Sequence, residues 1–244
     1  MPTAHVDTIS GVLLVDKPSG PTSHDVVDAI RRRFRLRKVG HGGSLDPQAT
    51  GLLVILVGQG TKLAGQFMNS DKTYEGSMRL GVATDSQDAQ GKVIQEADCS
   101  HVTGERLEAE IAKFRGDILQ TPPMVSAVKK DGVPLYKLAR KGKTVEREPK
   151  LIHVYEFRLT EFALPHARFV LRCTKGTYVR TICHDVGQAL GCGAMLDQLR
   201  RTECAGFRLA DGFTMPQILE MNESRLREAV IPMARLVTAR GQPA

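Results

Sequence analysis

A chain of 244 residues, 41% hydrophobic and 25% charged, has the ordinary make-up of a globular protein and length for one large domain, or for one with a small appendage. Lysine and arginine outnumber the acids by 34 to 27, and the resulting charge of +7 favours a polyanionic partner. Cys99, Cys173, Cys183, Cys192 and Cys204 are odd in number and lack C-x-x-C spacing, which argues against a disulfide framework and a standard zinc site.

The first ten residues, MPTAHVDTIS, show no basic flank followed by an apolar core, and the longest apolar run is far too short to span a bilayer, so a soluble, cytoplasmic protein is expected. Gly11 to Asp16, GVLLVD, reads as a short strand that ends in the turn Lys17-Pro18-Ser19-Gly20-Pro21. Thr22 or Ser23 then caps a helix in which Val26, Val27, Ile30 and Phe34 recur at helical spacing. Arg31, Arg32, Arg33, Arg35, Arg37 and Lys38 follow with no acid among them. Two readings stand for this cluster: a solvated face, or a surface that holds a phosphate backbone.

The chain is organised around Lys38 to Lys62, KVGHGGSLDPQATGLLVILVGQGTK. Gly40, Gly42 and Gly43 open backbone conformations that a Cβ disfavours, and Pro47 stiffens the chain directly after Asp46. The run LLVILV from Leu52 to Val57 is apolar at every position, as in a strand covered on both faces. An acid held at the mouth of a buried strand suits chemistry, because burial and nearby charge tune a carboxyl group; the plainer reading makes Asp46 a turn residue that bonds its own backbone. No G-x-x-x-x-G-K-[ST] occurs, so this is not a nucleotide loop.

A short helix is expected over Thr61 to Met68, then a strand beginning at Tyr74 with alternating burial through Leu80. Thr84 to Gly91, TDSQDAQG, is a polar turn whose acids do not follow the EF-hand spacing, so no metal is expected there. Val102 to Gly116 reads as an amphipathic helix with Leu107, Ile111 and Phe114 on one side. Gln120-Thr121-Pro122-Pro123 breaks the pattern, and Pro134 opens a short helix, PLYKLARKG.

Lys129 to Lys150 hold eight basic residues (Lys129, Lys130, Lys137, Arg140, Lys141, Lys143, Arg147 and Lys150) against Asp131, Glu146 and Glu148, with Tyr136 among them. This is a second anion-facing surface or a solvated one. Leu151 to Thr160 and Ala167 to Thr174 alternate as an antiparallel strand pair. Thr177 is placed to cap a helix with a buried stripe of Val179, Ile182, Cys183, Val186 and Leu190, and Gly191-Cys192-Gly193 ends it. Arg180, a cation in the first turn, gains nothing from the helix dipole and calls for a carboxylate partner elsewhere. From Gly206 a further strand, one or two helical stretches and a polar tail are expected.

In order, the blocks GVLLVDKPSGPTSHDVV, VGHGGSLDPQATGLLVILVGQGTK, KTYEGSMRLGVATDSQDAQG, TPPMVSAVKKDGVPLYKLARKGKTVER and CTKGTYVRTICHDVGQALGCGAMLDQLRR resemble the TruB family of tRNA pseudouridine synthases over nearly the whole chain. The resemblance implies a mixed α+β fold around a largely antiparallel sheet flanked by helices, with a central active-site cleft. It implies a catalytic domain over residues 1–213 and a short helical extension over 214–244 that is no complete PUA domain. Ser44, Thr174 and Met195 depart from the family's commoner Thr or Ala, Ser, and His.

By motif match, Asp46 takes the family's nucleophile position and His41 that of its substrate-contacting histidine. Tyr74 is implied as the base-stacking tyrosine, Tyr178 as a second pocket tyrosine, Arg180 as the aspartate's arginine partner and Leu199 as part of the apolar pocket. The implied reaction turns uridine into pseudouridine at position 55 in the T arm of tRNA, on a base flipped out of its stack. It needs no redox change or energy source, so no cofactor or metal is implied, nor a membrane or an obligate protein partner. Two other readings are a non-catalytic RNA-binding or tRNA-folding protein, against which Asp46, Tyr74 and Arg180 together argue, and a synthase of the same chemistry serving another RNA within a guide-RNA particle.

Overall fold

The structure, a computed structural model, describes residues 9–126, 128–130, 132–139 and 141–238, and for Lys129, Val237 and Thr238 the backbone alone. Asp131, Arg140 and the side chain of Lys129 in the second basic stretch lie outside it, as do most of the N-terminal segment and the polar tail.

In chain order, β1 (Gly11–Lys17) leads to α1 (Ser23–Arg33), which starts where Thr22 accepts from the Asp25 amide and the Asp25 carboxylate accepts from Thr22, a reciprocal cap. There follow β2 (Val39–His41), β3 (Thr50–Val57), a 3-10 turn over Gly58–Leu63 and α2 (Ala64–Met68). Next come β4 (Lys72–Leu80), the hairpin of β5 (Val82–Thr84) and β6 (Val93–Glu96), and α3 (Gly104–Ala112). The helix expected to reach Gly116 stops at Ala112, because Gly116, at φ 84, opens β7 (Gly116–Gln120) instead. Short β8 (Lys129–Lys130) and β9 (Val133–Pro134) precede α4 (Leu135–Ala139).

The long β10 (Lys150–Ala163) and β11 (His166–Cys173) form the expected antiparallel pair. Tyr178, with no side-chain cap bond, occupies the N-cap of α5 (Val179–Leu190); Thr177 does not cap it, since its hydroxyl donates to the Thr174 carbonyl. Gly191, left-handed at φ 81, ends that helix. Then come β12 (Ala194–Cys204), β13 (Phe207–Arg208), β14 (Phe213–Thr214), α6 (Met215–Glu220), α7 (Glu223–Ala229), β15 (Ile231–Pro232) and α8 (Met233–Thr238).

The chain divides into two compact units. The first comprises residues up to Thr73 and from Arg200 onward. Its middle strand is β3, antiparallel to β1 from Gly11↔Val57 to Lys17↔Gly51 and antiparallel to β2 at Val39↔Val57 through His41↔Ile55. β12 runs parallel to its start at Arg200↔Thr50 and Arg201↔Gly51. With both edges and faces covered, Leu52 to Val57 are all buried, as the unbroken apolar run requires. Val12, Leu14, Val54, Leu56, Phe67 and Cys204 share one apolar cluster.

The second unit, Tyr74–Leu199, orders its strands from β12 through β4, β11 and β10 to β7. Phe157 of β10 meets Phe169 of β11 edge to face at 5.4 Å, and α3 packs on β10 and α5. Gly76 is required beside that pair: a Cβ there would lie 2.5 Å from the Phe169 ring. Strand pairing across the fold is largely antiparallel, with helices attached to the strands in both units, a mixed α+β architecture. Among the described residues no helix is long and apolar enough to cross a membrane.

Candidate functional site

In the first unit, β2 and β3 are joined by residues 42–49, and this loop presents Asp46 with its side chain in solvent. The backbone of the loop is fixed at many points. Gly42 donates to the Val54 carbonyl at 2.8 Å, Ala49 to the Asp46 carbonyl at 3.0 Å, and Gly20 to the Pro47 carbonyl at 2.9 Å. Ser23 Oγ, buried at the head of α1, accepts from the Leu45 amide at 2.9 Å and donates to the Leu45 carbonyl at 3.1 Å. One hydroxyl thus satisfies both backbone groups of the residue before Asp46, and the loop is held as its glycine and proline content led us to expect.

Beneath the loop lie two buried cations. Lys17 has no exposed surface, and its Nζ donates to the carbonyls of Pro18, Pro47 and Ala49 at 2.8, 2.9 and 2.8 Å. Burial pulls its pKa down to about 8, with the Asp46 charge raising it and the Arg201 charge lowering it. Arg201, 1% exposed, donates from Nε to the Leu52 carbonyl at 2.7 Å, from Nη1 to Ser44 at 3.2 Å and from Nη2 to Gly43 at 3.1 Å. Its neighbour Arg200, on the opposite face of the strand, reaches Asp16 at 2.7 Å and the Thr50 hydroxyl at 3.3 Å.

His41 ends β2 at the start of the same loop, half-buried. Its Nδ1 accepts from the Gly43 amide at 3.3 Å, so the neutral ring carries its proton on Nε2. Burial, and then the charges of Arg201 and His24, hold its pKa below the usual histidine value, which keeps the ring neutral at physiological pH.

In the second unit, Tyr178 and Arg180 open α5. The Arg180 guanidinium lies 5.8 Å from the Tyr178 ring centre and is only 5% exposed. Its carboxylate partner within this unit is Asp88, with Nη1 at 3.3 Å from Oδ2, while Nη2 donates to the Val125 carbonyl. The other Asp88 oxygen accepts from the Ser86 hydroxyl at 2.6 Å and the Gln90 amide at 3.0 Å. The polar turn at 84–91 is therefore an anchor for the arginine. The amide side chain of Gln120, buried at the end of β7, accepts from the Tyr178 N–H at 2.8 Å and donates to its carbonyl at 3.1 Å.

Tyr74 stands early in β4 with 8% of its surface exposed, and Leu199 lies half-buried on β12. Met195, the departure noted in the sequence, is buried at 7% exposure. His41 and Asp46 thus share one loop of the first unit, and Tyr178 and Arg180 share one helix start in the second, where Tyr74 and Leu199 also belong.

Lys17, Arg201, Asp88 and Gln120 were not singled out from the sequence. Lys17 and Arg201 are hidden there because nothing in KPSG or LRR says that a cation faces inward, although alternation along β12 requires Arg200 and Arg201 to face opposite ways. The need of Arg180 for a carboxylate, set beside the acids of TDSQDAQG, was the one usable signal for Asp88. The first basic cluster also reads differently. Arg31 lies 2.9 Å from Asp28, Arg32 donates to the Asp28 carbonyl at 3.3 Å, and Arg33 donates to Leu219 and Met221 carbonyls at 2.7 and 2.8 Å. Three of its six members thus serve the fold. Among the described residues no three His, Cys, Asp or Glu side chains gather as metal ligands would.

Two family models match the chain: the TruB family pseudouridylate synthase N-terminal domain over residues 31–179, and the tRNA pseudouridylate synthase B C-terminal domain over residues 180–238. The tRNA pseudouridine synthase B of Opitutus terrae is 52% identical over 92% of this chain and 93% of its own length. That of Syntrophotalea carbinolica is 46% identical over 93% of this chain and 74% of its own. Among solved structures, a Cbf5-Nop10-Gar1 complex matches with a TM-score of 0.75 at 29% identity over 96% of this chain. An H/ACA RNP bound to a substrate RNA containing 2'-deoxyuridine matches with a TM-score of 0.70 at 26% identity. The chain spans 62% and 60% of the length of those two structural relatives.

Proposed function

The chain belongs to the TruB family of pseudouridylate synthases, and from that premise we propose that it isomerises uridine to pseudouridine at position 55 in the T arm of tRNA, with Asp46 as the nucleophile. The observation that carries the assignment to Asp46 is its exposed carboxylate on a loop fixed at both ends by bonds from Ser23, Lys17 and Arg201. A reacting group set on an immobilised backbone loses little entropy on the way to the transition state. The names of the relatives, tRNA pseudouridine synthase B, support tRNA as substrate, and the charge of +7 suits a phosphate-rich partner.

In this reading the uridine leaves its stack at a cost of a few kcal/mol, and stacking on Tyr74, worth about 1–3 kcal/mol, offsets much of that. Asp46, as the carboxylate, bonds to the base or to the anomeric carbon of the sugar, and the glycosidic bond from N1 breaks. The sugar then joins the ring at C5, the bond to Asp46 breaks to return the free carboxylate, and the C5 proton is lost while N1 gains one, so atoms balance with no redox partner. By motif match Tyr178 and Leu199 take the roles of pocket residues for the base, His41 that of a substrate contact, and Arg180 that of the arginine the family pairs with its nucleophile.

The test is to incubate the purified protein with an unmodified T-arm stem-loop, without added metal or nucleotide, and to map pseudouridine. Product at position 55 with wild type, and none with Asp46→Asn at near-normal RNA affinity, is the expected result. Equal loss of affinity and product in that variant would make Asp46 a turn residue.

A further inference from the structure

We infer that Arg201 is a positioning residue for the reaction, setting the loop that carries Asp46 through three carbonyls, each taken by a different nitrogen of its guanidinium. The inference rests on Asp46 being the reacting carboxylate. The geometry is specific. Nε takes the Leu52 carbonyl at 2.7 Å, beyond the loop's far end, while Nη1 and Nη2 take Ser44 and Gly43 at 3.2 and 3.1 Å, just after its start. One planar group thus fixes the distance between the two ends of the segment that presents Asp46. Arg201 itself is 1% exposed, and its bond to the Leu52 carbonyl is fully buried, while those to Ser44 and Gly43 are partly so.

The backbone of the same residue also bears on the loop. Arg201 pairs in parallel with Gly51, and a Cβ on Gly51, whose φ is 97, would fall 2.3 Å from the Arg201 carbonyl oxygen. Main chain and side chain of Arg201 therefore both meet the segment. A merely stabilising arginine would need no such aim. Burying an arginine costs several kcal/mol of desolvation, and an apolar side chain of similar volume is often as stable, so three carbonyls aimed at one fork point to placement as what the cation contributes.

Lysine in its place keeps the charge but carries its donors on one atom; Lys17 holds three carbonyls that converge on one point, whereas the three around Arg201 are taken by three separate nitrogens of a planar fork that a lysine does not reproduce. A displacement of about 1 Å at a reacting group is enough to lower a rate by roughly 100-fold.

The experiment compares Arg201→Lys, Arg201→Gln and Asp46→Asn with wild type by thermal melting, T-arm stem-loop affinity and single-turnover rate at saturating RNA. Arg201→Lys is expected to stay folded, to bind RNA within about twofold of wild type, and to turn over roughly 10- to 100-fold more slowly. Millimolar guanidinium is expected to restore part of the rate to Arg201→Gln, which a general loss of stability would not allow. A full single-turnover rate in Arg201→Lys, a loss of rate matched by loss of affinity, or loss of the folded state in both Arg201 variants would each overturn the inference. If instead Asp46→Asn retains full activity, it is the nucleophile assignment that fails; an inactive Asp46→Asn beside a fully active Arg201→Lys sinks the role of Arg201 alone.

Discussion

A buried Arg180 and a half-buried Asp88 form an ion pair at 3.3 Å, in which the aspartate sits on a turn between two short strands and the arginine in the first turn of a helix ninety-two residues later. An arginine at a helix start meets the positive end of the helix dipole, and the carboxylate compensates for that placement as well as for burial.

Removing Asp88 takes from the buried Arg180 the carboxylate that pairs with its Nη1, while the Val125 carbonyl still accepts from Nη2. Asp88→Ala is expected to destabilise the second unit by about 1–3 kcal/mol and to lower turnover at saturating RNA, since Arg180 loses one of the bonds that orient it. Asp88→Asn keeps the shape and the Ser86 and Gln90 contacts and is expected to lose less stability. Denaturant melts beside single-turnover rates check both; equal stability of the two variants and wild type would remove the pair from the account.

Lys17 makes the pH dependence specific. Its pKa near 8 in the folded chain lies below the ordinary lysine value of 10.5. Above about 8 the amine has two N–H groups for three carbonyls, and Asp46 loses a neighbouring positive charge, so turnover is expected to fall as pH rises through that value. The stability effect has the opposite sign. Between about 8 and 10.5 the unfolded chain holds a proton that the folded chain has released, so this residue's contribution to stability rises with pH across that window and is lost as pH falls through 8. A pH–rate profile for single turnover beside melts at the same pH values separates the two. A rate unchanged through pH 8 would sink the prediction.

Gly42 has no room for a side chain: a Cβ would lie 2.4 Å from Phe67 Cβ, inside the cluster where Phe67 stacks on Phe207 at 6.0 Å. Gly42→Ala is expected to cost about 1–3 kcal/mol through overpacking, lowering the melting temperature by roughly 2–12 °C, and to slow the reaction by shifting the loop. Gly40→Ala is the control, since its Cβ meets only Thr61 Cγ2 at 3.7 Å. Calorimetry of the two variants settles it, and similar losses in both would refute the packing argument.

Arg33 ties α1 to the end of α6 through two carbonyls, so Arg33→Ala is expected to cost about 1–3 kcal/mol of stability while leaving the salt dependence of RNA affinity unchanged. A slope of log affinity against log salt reduced by about 0.9 would place Arg33 on a phosphate of duplex RNA instead.

Most of the architecture was readable because burial patterns and punctuation agreed. The unbroken apolar run of β3, the Thr22 cap, the α5 stripe and the Gly191 stop each follow from local rules that the packing did not override. Gly116 was misread, since a glycine after a periodic segment marks a helix end as readily as it opens a strand. Motif order singled out Asp46 and His41 as site candidates, yet what holds them could not be read there. Lys17 and Arg201 act through main-chain carbonyls, and a carbonyl has no letter in a sequence. Arg31 to Arg33 looked uncompensated because their partners, Asp28 and the carbonyls at 219 and 221, lie a helical turn or most of the chain away.

The bonds from Arg201 to Leu52, Ser44 and Gly43 span 149, 157 and 158 residues. A nascent polypeptide therefore emerges from the ribosome with its Asp46 segment complete in sequence but without its far-side grip, and acquires that grip only once β12 has been added, 149 to 158 residues after the carbonyls it holds. A chain that stops short of β12 holds the Asp46 segment without these three bonds, however well its N-terminal strands pair.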